Sequence, residues 1–383
     1  MRIKNLTYKS QIFDLKSMSF VNPLETGVSK SEFNTASLEA HTNNCLRMSQ
    51  RPDTYIPILK HLQTIPPRTA WEINFEKFRQ LGKFTFNTNH PKSLKHIQDI
   101  SFRLTNLVGG NLAVELSGGL DTAIIIGVLR SIGLNPTLVG MLSERYEFRT
   151  ERYIQEKIAL ASDNVHFIEE EKALPFAKLK ETPVHPIPNK ASLFYYLNEV
   201  KANWAVQNSY QYLVNGIGFD TILIDQIANT SETYFFDPIN LDDAWANDFV
   251  YNSKGINYVN VASIYCVLKT VITLRRGQPE DTKKLWARTM FNQMIPPELS
   301  KFRYKASFGA VYDQGLEQAK SDILEICEVA YELTQIQEIR PSVMKVLING
   351  VRSYDFRSEF EFLARLSYAN WIYQLDRSKL IVL

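Results

Sequence analysis

The sequence predicts an α/β fold in which a parallel sheet is flanked by helices, with a mostly helical C-terminal part and a small N-terminal module. From about residue 93, short apolar segments alternate with segments whose apolar residues recur at helical spacing, which is typical of a parallel sheet covered by helices. Beyond residue 240 the pattern is mostly helical. Residues 1–90 are instead rich in Asn, Thr, Ser and Pro. We therefore expect a module over 1–90 and a domain over 91–383.

The N-terminal module is predicted to be poor in strands, with one strand over TAWEINF, residues 69–75, after the turn signal Pro66-Pro67. The alternation that follows predicts, in order, a helix over 94–107, a strand over 111–116, a helix over 122–132, a strand over 136–142, a helix over 150–161, a strand over 164–169, a helix over 191–210 and a strand over 212–220.

Charge and cysteine content exclude several classes of function. The 383-residue chain has a net charge of only +2, so no global field favours nucleic acid or an anionic membrane, and we expect neither as a partner. Cys45, Cys266 and Cys327 form no C-x-x-C spacing, which argues against a disulfide framework or a zinc site. The longest apolar run, AIIIGVL, ends at Arg130, well short of a membrane span. We expect a soluble, cytoplasmic protein.

The segment LSGGLDTA, residues 116–123, lies where a predicted buried strand is followed by a predicted helix. Ser117, Gly118 and Gly119 have small side chains, so consecutive backbone N–H groups can approach a polyphosphate closely. The helix that follows directs the positive end of its dipole to the same point. Ser117 and Thr122 add hydroxyl groups. The segment therefore predicts a phosphate-binding loop.

Asp121 sits inside this predicted anion site, where its charge would repel a phosphate. An Asp at this position is favourable chiefly if a Mg²⁺ ion lies between the carboxylate and the phosphate. The alternative interpretation is a tight strand-to-helix turn that uses glycines for its geometry and Asp121 as a helix N-cap.

VELSGGLDT resembles the pyrophosphate loop S-G-G-x-D-[ST] of asparagine synthetase, β-lactam synthetase, lasso-peptide cyclases and related N-type ATP pyrophosphatases. Argininosuccinate synthetase also has S-G-G-L-D-T, but near its N-terminus, so chain order disfavours it. The resemblance implies a PP-loop fold of the adenine nucleotide α-hydrolase type, with ATP and Mg²⁺ as cofactors. It implies nucleotide contacts from Leu116, Ser117, Gly118, Gly119, Asp121, Thr122, Met141, Gly216 and Gly218, and metal contacts from Asp121 and Asp220.

Two later segments agree with this resemblance. NGIGFDTIL resembles the G-x-G-x-D motif through Gly216, Gly218 and Asp220, and a second carboxylate is what a metal ion held by Asp121 needs. The alternative is a glycine-rich turn with a solvated Asp. KFRYKASF resembles the R-x-x-K-x-x-F-type stretch, in which Lys305 matches the catalytic lysine, whose ammonium stabilises charge in the transition state. The alternative is a basic surface run.

TERYIQEKIA, residues 150–159, resembles the D-E-R-x-x-A-x-x-[IV]-A helix of the same group, and we expect Glu151 and Arg152 on an exposed helix face. The chain also departs from the group. Ile217 replaces the Glu of asparagine synthetase and the Tyr of β-lactam synthetase. Arg2 stands where glutamine-using members have a nucleophilic Cys, so we expect no use of glutamine as nitrogen donor.

The resemblance implies an ATP-dependent, AMP-forming carbon–nitrogen ligase that adenylates a carboxylate and passes it to an amine. Peptide or natural-product biosynthesis is the favoured setting, with the carboxylate on a peptide or on a carrier or precursor protein. Two alternatives stay open. One is an ammonia-dependent amidating enzyme of the asparagine synthetase type. The other is a nucleotide-binding partner subunit that has lost catalysis.

Overall fold

The computed structural model of the chain describes residues 2–5, 11–14, 19–20, 28–30, 33–46, 62–65, 69–73, 78–83, 111–131, 133–142, 149–160, 163–185, 188–216, 250–261, 284–301, 309–351 and 356–382. The predicted helix over 94–107 and the predicted boundary at residue 90 lie outside these ranges, so both stay predictions.

The N-terminal part is richer in strands than the sequence indicated. Its strands are β1 Arg2–Asn5, β2 Gln11–Asp14, β3 Ser19–Phe20, β4 Val28–Ser29, β5 Leu62–Ile65, β6 Thr69–Ile73 and β7 Phe78–Lys83. All of them except β4 form two antiparallel sheets, β1-β6-β7 and β3-β2-β5, and helix α1 Thr35–Leu46 lies between β4 and β5 in the chain. The strand predicted over 69–75 is confirmed as β6. The expectation of few strands was wrong, because segments such as RIKN and FRQLGK lack a clean apolar–polar alternation.

The central sheet consists of parallel strands, and the predicted α/β fold class is confirmed. These strands are β8 Leu112–Leu116, β9 Thr137–Leu142, β10 Val165–Glu169, β11 Tyr212–Asn215 and β12 Asn257–Asn260. Their spatial order is β10-β9-β8-β11-β12. The chain therefore builds outward from β8 to β10 and then returns to the other side of β8 with β11. Ligands of open parallel sheets bind at the carboxyl ends of the two strands where the order reverses, here β8 and β11.

The helices that follow the first strands agree with the prediction within a few residues. They are α2 Leu120–Ser131, α3 Arg149–Ile158 and α4 Tyr195–Gln207. Strand β12 was missed, because it is short and two of its four residues, NYVN, are asparagines. The strand predicted over 212–220 ends at Asn215 within the described residues, and 217–220 lie outside them.

Each face of the central sheet has its own apolar core. Val114, Leu116 and Val214 pack with α2 on one face, whereas Ala113 and Leu213 pack with α4 on the other. Alternate residues of a strand point to opposite faces, so this division follows from the register of β8 with β11.

Helix α2 is buried on most sides because it lies between the sheet and two short helices, α5 Leu285–Met290 and α6 Pro297–Lys301. A Cβ added at Gly127 would lie 2.1 Å from the carbonyl oxygen of Met294, so only a glycine lets α2 and the turn after α5 approach this closely. This contact holds the 284–301 segment beside α2 and the loop before it.

The C-terminal part is helical, as predicted, with helices α7 Gly309–Thr334, α8 Pro341–Gly350 and α9 Phe356–Arg377. A final strand, β13 Ile381–Val382, pairs with β4. Helix α1 packs on α9, where the Ser37 and Tyr368 hydroxyls lie 2.5 Å apart and His41 Nε2 lies 2.8 Å from Ser367 Oγ. Part of the N-terminal module therefore shares a core with the C-terminal helices.

Cys327 of α7 is buried, and burial raises the pKa of its thiol to about 12, as expected for a thiol without a metal or redox role. None of the helices within the described ranges combines the length and the apolar character that a membrane span requires.

Candidate phosphate-binding site

The predicted phosphate loop is the turn of residues 117–119 that joins β8 to α2. Gly118 has a φ of +73°, a conformation that non-glycine residues rarely adopt. A Cβ at Gly118 would also lie 3.0 Å from Cγ and 3.1 Å from the carbonyl oxygen of Glu151 on helix α3. Backbone conformation and lack of space therefore both require glycine.

Two hydroxyl groups close the loop onto the start of α2. The Oγ of Ser117 lies 2.8 Å from Oγ1 of Thr122, and the N–H of Gly119 donates to Ser117 Oγ at 3.3 Å. The N–H groups in the first turn of an α-helix point out of its N-terminus, where the helix dipole is positive. The loop can therefore bind an anion with hydroxyl and backbone donors together.

The opposite wall of the site comes from the residue after β11. A Cβ at Gly216 would lie 3.5 Å from Cβ of Asp121 and 3.6 Å from the backbone nitrogen of Thr122. Gly216 is thus in contact with the first turn of α2. The structure brings together two segments that the sequence singled out separately, at the carboxyl ends of the two strands where the order reverses.

A residue that the sequence gave no reason to select completes this end of the site. The Lys284 ammonium donates to Oδ1 of Asp121 at 2.5 Å, and the two side chains are only 10% and 19% exposed. Lys284 directly precedes α5 and has a φ of +55°, which is strained for a non-glycine residue. In the sequence, Lys283-Lys284 looks like an ordinary surface pair, and no local pattern distinguishes it.

Helix α3 covers the loop with two buried polar residues. Glu151 is 4% and Gln155 is 2% exposed, so the expectation of an exposed Glu151 was wrong. Arg152, by contrast, is exposed, and its Nε lies 3.2 Å from Oε1 of Glu156. The spacing of Glu151 and Gln155 with Ile154 and Ile158 puts them on one helix face, a signal that could have shown their burial.

Gln155 links the ends of two neighbouring strands beneath the loop. Its Nε2 donates to the carbonyl oxygen of Leu116 at 3.0 Å and to that of Met141 at 3.3 Å. Leu116 and Met141, both expected near the nucleotide, therefore lie at adjacent strand ends and share one hydrogen-bonding partner.

A second enclosed ion pair lies on the opposite face of β8. Lys201 of α4 donates to Oε1 of Glu115 at 2.9 Å, with side chains 15% and 16% exposed, and the Tyr258 hydroxyl donates to the same oxygen at 3.3 Å. The ring of Tyr258 stacks on Tyr251 at 4.0 Å. Burial, reinforced by the Glu115 carboxylate, raises the pKa of Tyr258 well above its usual value, so its hydroxyl stays protonated and donates.

The metal site predicted from the sequence is described only in part. Asp121 lies at the loop, while Gly218, Asp220 and the catalytic candidate Lys305 lie outside the described residues. Within the described ranges, no three or more His, Cys, Asp or Glu side chains are grouped to hold a metal ion. Mg²⁺ in nucleotide sites takes one or two carboxylates and completes its shell with phosphate and water. Asp121 fits the role of one such carboxylate.

Comparisons with known proteins assign this chain to no family. No protein-family model matches the sequence, and no curated protein matches it. Among solved structures, a predicted subunit of tRNA methyltransferase from Methanocaldococcus jannaschii is similar at a TM-score of 0.23 and 13% identity, over 51% of this chain and 93% of that chain. A likeness at that TM-score carries no argument about function.

Proposed function

We propose that the protein is an ATP-dependent, AMP-forming ligase that activates a carboxylate as its adenylate and transfers the acyl group to an amine. The observation that carries the proposal is the loop of residues 117–119. Gly118 is crowded by α3, the N-terminus of α2 faces the loop, and Gly216 borders it at the point where the strand order reverses. This arrangement supports the binding of a polyphosphate, and its sequence S-G-G-L-D-T favours the pyrophosphate end of ATP.

In this proposal, each group at the site has its own role in the reaction. Backbone N–H groups of the loop and the hydroxyls of Ser117 and Thr122 hold the β- and γ-phosphates, which leaves the α-phosphorus open to the attacking carboxylate oxygen. The Lys284 ammonium, enclosed beside the loop, supplies positive charge to the departing pyrophosphate. Asp121, joined by Asp220, would hold Mg²⁺, which neutralises charge on the phosphates.

Lys305 is proposed to act in the chemical step. Because an ammonium that stabilises charge mainly in the transition state contributes little to ground-state binding, Lys305→Ala should lower kcat far more than it raises KM for ATP. Lys301→Ala, at the end of α6 and in the same basic run, is the control and should change neither. Near-normal AMP formation by Lys305→Ala would assign this lysine to the surface.

The experiment that tests the proposal is product analysis. The purified protein is incubated with ATP, Mg²⁺, a panel of amino acids and short peptides as carboxylate donors, and hydroxylamine as the amine. We expect AMP and pyrophosphate in equal amounts, with a hydroxamate formed from one donor class. ADP and orthophosphate as products would contradict the proposal.

A further inference from the structure

Two carboxylates and a phenol lie together where helices α7 and α9 begin. Tyr312 and Asp313 are near the start of α7, and Glu359 is near the start of α9. The ring of Tyr312 meets that of Phe176 edge-on, with the ring centres 4.9 Å apart, and the Phe176 ring lies 6.2 Å from that of Phe362. Phe362 follows Glu359 by about one helical turn, so both project from one face of α9. The two helix starts therefore bring Glu359 close to Tyr312.

Tyr312 belongs to a closely packed part of the helical core. A Cβ added at Gly315 would lie 2.3 Å from the carbonyl oxygen of Pro175, so only a glycine lets α7 come this close to the segment that carries Phe176. The ring of Phe176 also contacts that of Phe194, at 5.8 Å. The hydroxyl of Tyr312 can therefore gain a partner only from a group that comes to it.

This hydroxyl is buried and lacks a partner in the part of the chain that the structure describes. Tyr312 is 6% exposed, and its oxygen forms no hydrogen bond there. Burial, reinforced by the charges of Glu359 and Asp313, raises the pKa of Tyr312 far above its usual value, so the hydroxyl keeps its proton. Native proteins rarely leave a buried polar group unsatisfied unless a water molecule, an ion or a ligand completes it.

The two carboxylates also lack a cation. Among the described residues, neither Asp313 nor Glu359 forms an ion pair. The ammonium of Lys190 lies on this side of α9, but over the ring of Phe360, 5.0 Å from its centre. Burial, reinforced by the charge of Asp313, raises the pKa of Glu359, as expected when two carboxylates share a partly enclosed space. A cation placed between them would relieve this repulsion.

We propose that Tyr312, Asp313 and Glu359 bind a primary ammonium group of a ligand. An alkylammonium has three N–H donors, and the phenol oxygen and the two carboxylates supply an acceptor for each. Asp313 is exposed, so the ligand enters from solvent on that side. A divalent metal fits less well, because metal ligands are deprotonated and the phenol keeps its proton. The site goes beyond the proposed function, since it involves no nucleotide.

The test is calorimetric titration, without nucleotide, with n-butylammonium and with tetramethylammonium, which has the same charge but no N–H donor. For the wild type we expect saturable binding of butylammonium and about tenfold weaker binding of tetramethylammonium. Glu359→Gln should weaken butylammonium binding about tenfold, because a charged acceptor is lost, and Tyr312→Phe about fivefold. Glu361→Gln, on the same helix but at a carboxylate that pairs with Arg365, is the control and should bind like the wild type.

Three results would overturn the site. The first is equal affinity for the two ammonium ions, or no binding at all, in the wild type. The second is normal binding by Tyr312→Phe, which would leave the buried hydroxyl without a role in binding. The third is displacement of butylammonium by an equal concentration of Mg²⁺, which would indicate a metal site. Thermal unfolding checks that the variants are folded, and Asp313→Asn replaces Glu359→Gln, with the same expectations, if the latter does not fold.

Discussion

Two enclosed lysine–carboxylate pairs lie on opposite faces of the carboxyl end of β8. Asp121–Lys284 and Glu115–Lys201 have similar lengths, 2.5 and 2.9 Å, and similarly low exposure. Their neighbours differ. The first borders Gly216 and lies two residues after the loop, whereas the second is closed by the stacked rings of Tyr251 and Tyr258. We therefore expect the first pair to take part in ligand binding and the second to serve the fold, because their neighbours differ.

Gly118→Ala should have the largest effect. The substitution strains the backbone and forces a contact with Glu151, which moves the loop by a few tenths of an ångström or more. We expect ATP cleavage to fall by up to about a hundredfold, the cost of misplacing a positioning group by about 1 Å. The control is Gly133→Ala, with a φ of +83° but no atom within 4 Å of the added Cβ. It should destabilise the protein to a similar degree, about 1 kcal/mol, and leave the rate unchanged. Equal rates for the two variants would contradict the account of the loop.

Comparing Lys284→Met with Lys201→Met tests directly whether the two ion pairs have different roles. Each variant leaves an enclosed carboxylate without its lysine and should lose roughly 3 kcal/mol of unfolding free energy. Only Lys284→Met should also weaken binding of pyrophosphate with Mg²⁺, by about thirtyfold, because it removes a charged donor to the phosphate. Urea unfolding and calorimetry measure the two quantities. A comparable loss of binding in Lys201→Met would show that both pairs act through the fold.

The fold and the site differ in how far the sequence could predict them. Most strands between residues 111 and 216 are apolar runs bounded by turn residues, so the sequence could predict the sheet and its helices. The segment NYVN of β12 has no such pattern. The loop could be predicted because its hydrogen-bond donors are contiguous in the sequence. The sequence could not predict the two ion pairs. Lys284 lies 163 residues from Asp121 and Lys201 lies 86 residues from Glu115, and only the folded chain brings each pair together.

Acid sensitivity should arise in the helical core that α1 shares with α9. Burial, with a smaller effect of Lys190, lowers the pKa of His41 from 6.5 to about 3. Below pH 6.5 the unfolded chain binds a proton that the folded protein rejects, so the free energy of unfolding should fall by about 1.4 kcal/mol per pH unit down to pH 3. His41→Gln should remove this slope in urea unfolding, and His166→Gln, on the exposed side of β10, should keep most of it. An unchanged slope in His41→Gln would place the acid sensitivity elsewhere.

Gln155→Met should have the smallest effect. The near-isosteric side chain cannot donate to the carbonyls of Leu116 and Met141, which sit at the base of the loop. We expect about fivefold weaker binding of pyrophosphate, equivalent to ~1 kcal/mol. Gln374→Met removes a similar buried hydrogen bond, to Leu179 in the helical core, and should lower stability without changing binding. If the two variants bind alike, Gln155 supports the fold and does not position the loop.

The measurement that tests the central claim most directly needs no knowledge of the carboxylate. If the loop holds the pyrophosphate end of ATP and the reaction yields AMP, the two products occupy separate parts of one site. Calorimetric titration of pyrophosphate with Mg²⁺ is carried out on the protein alone, saturated with AMP, and saturated with ATP. We predict that AMP leaves pyrophosphate binding intact and that ATP abolishes it. Absence of pyrophosphate binding, or its displacement by AMP, would contradict the account.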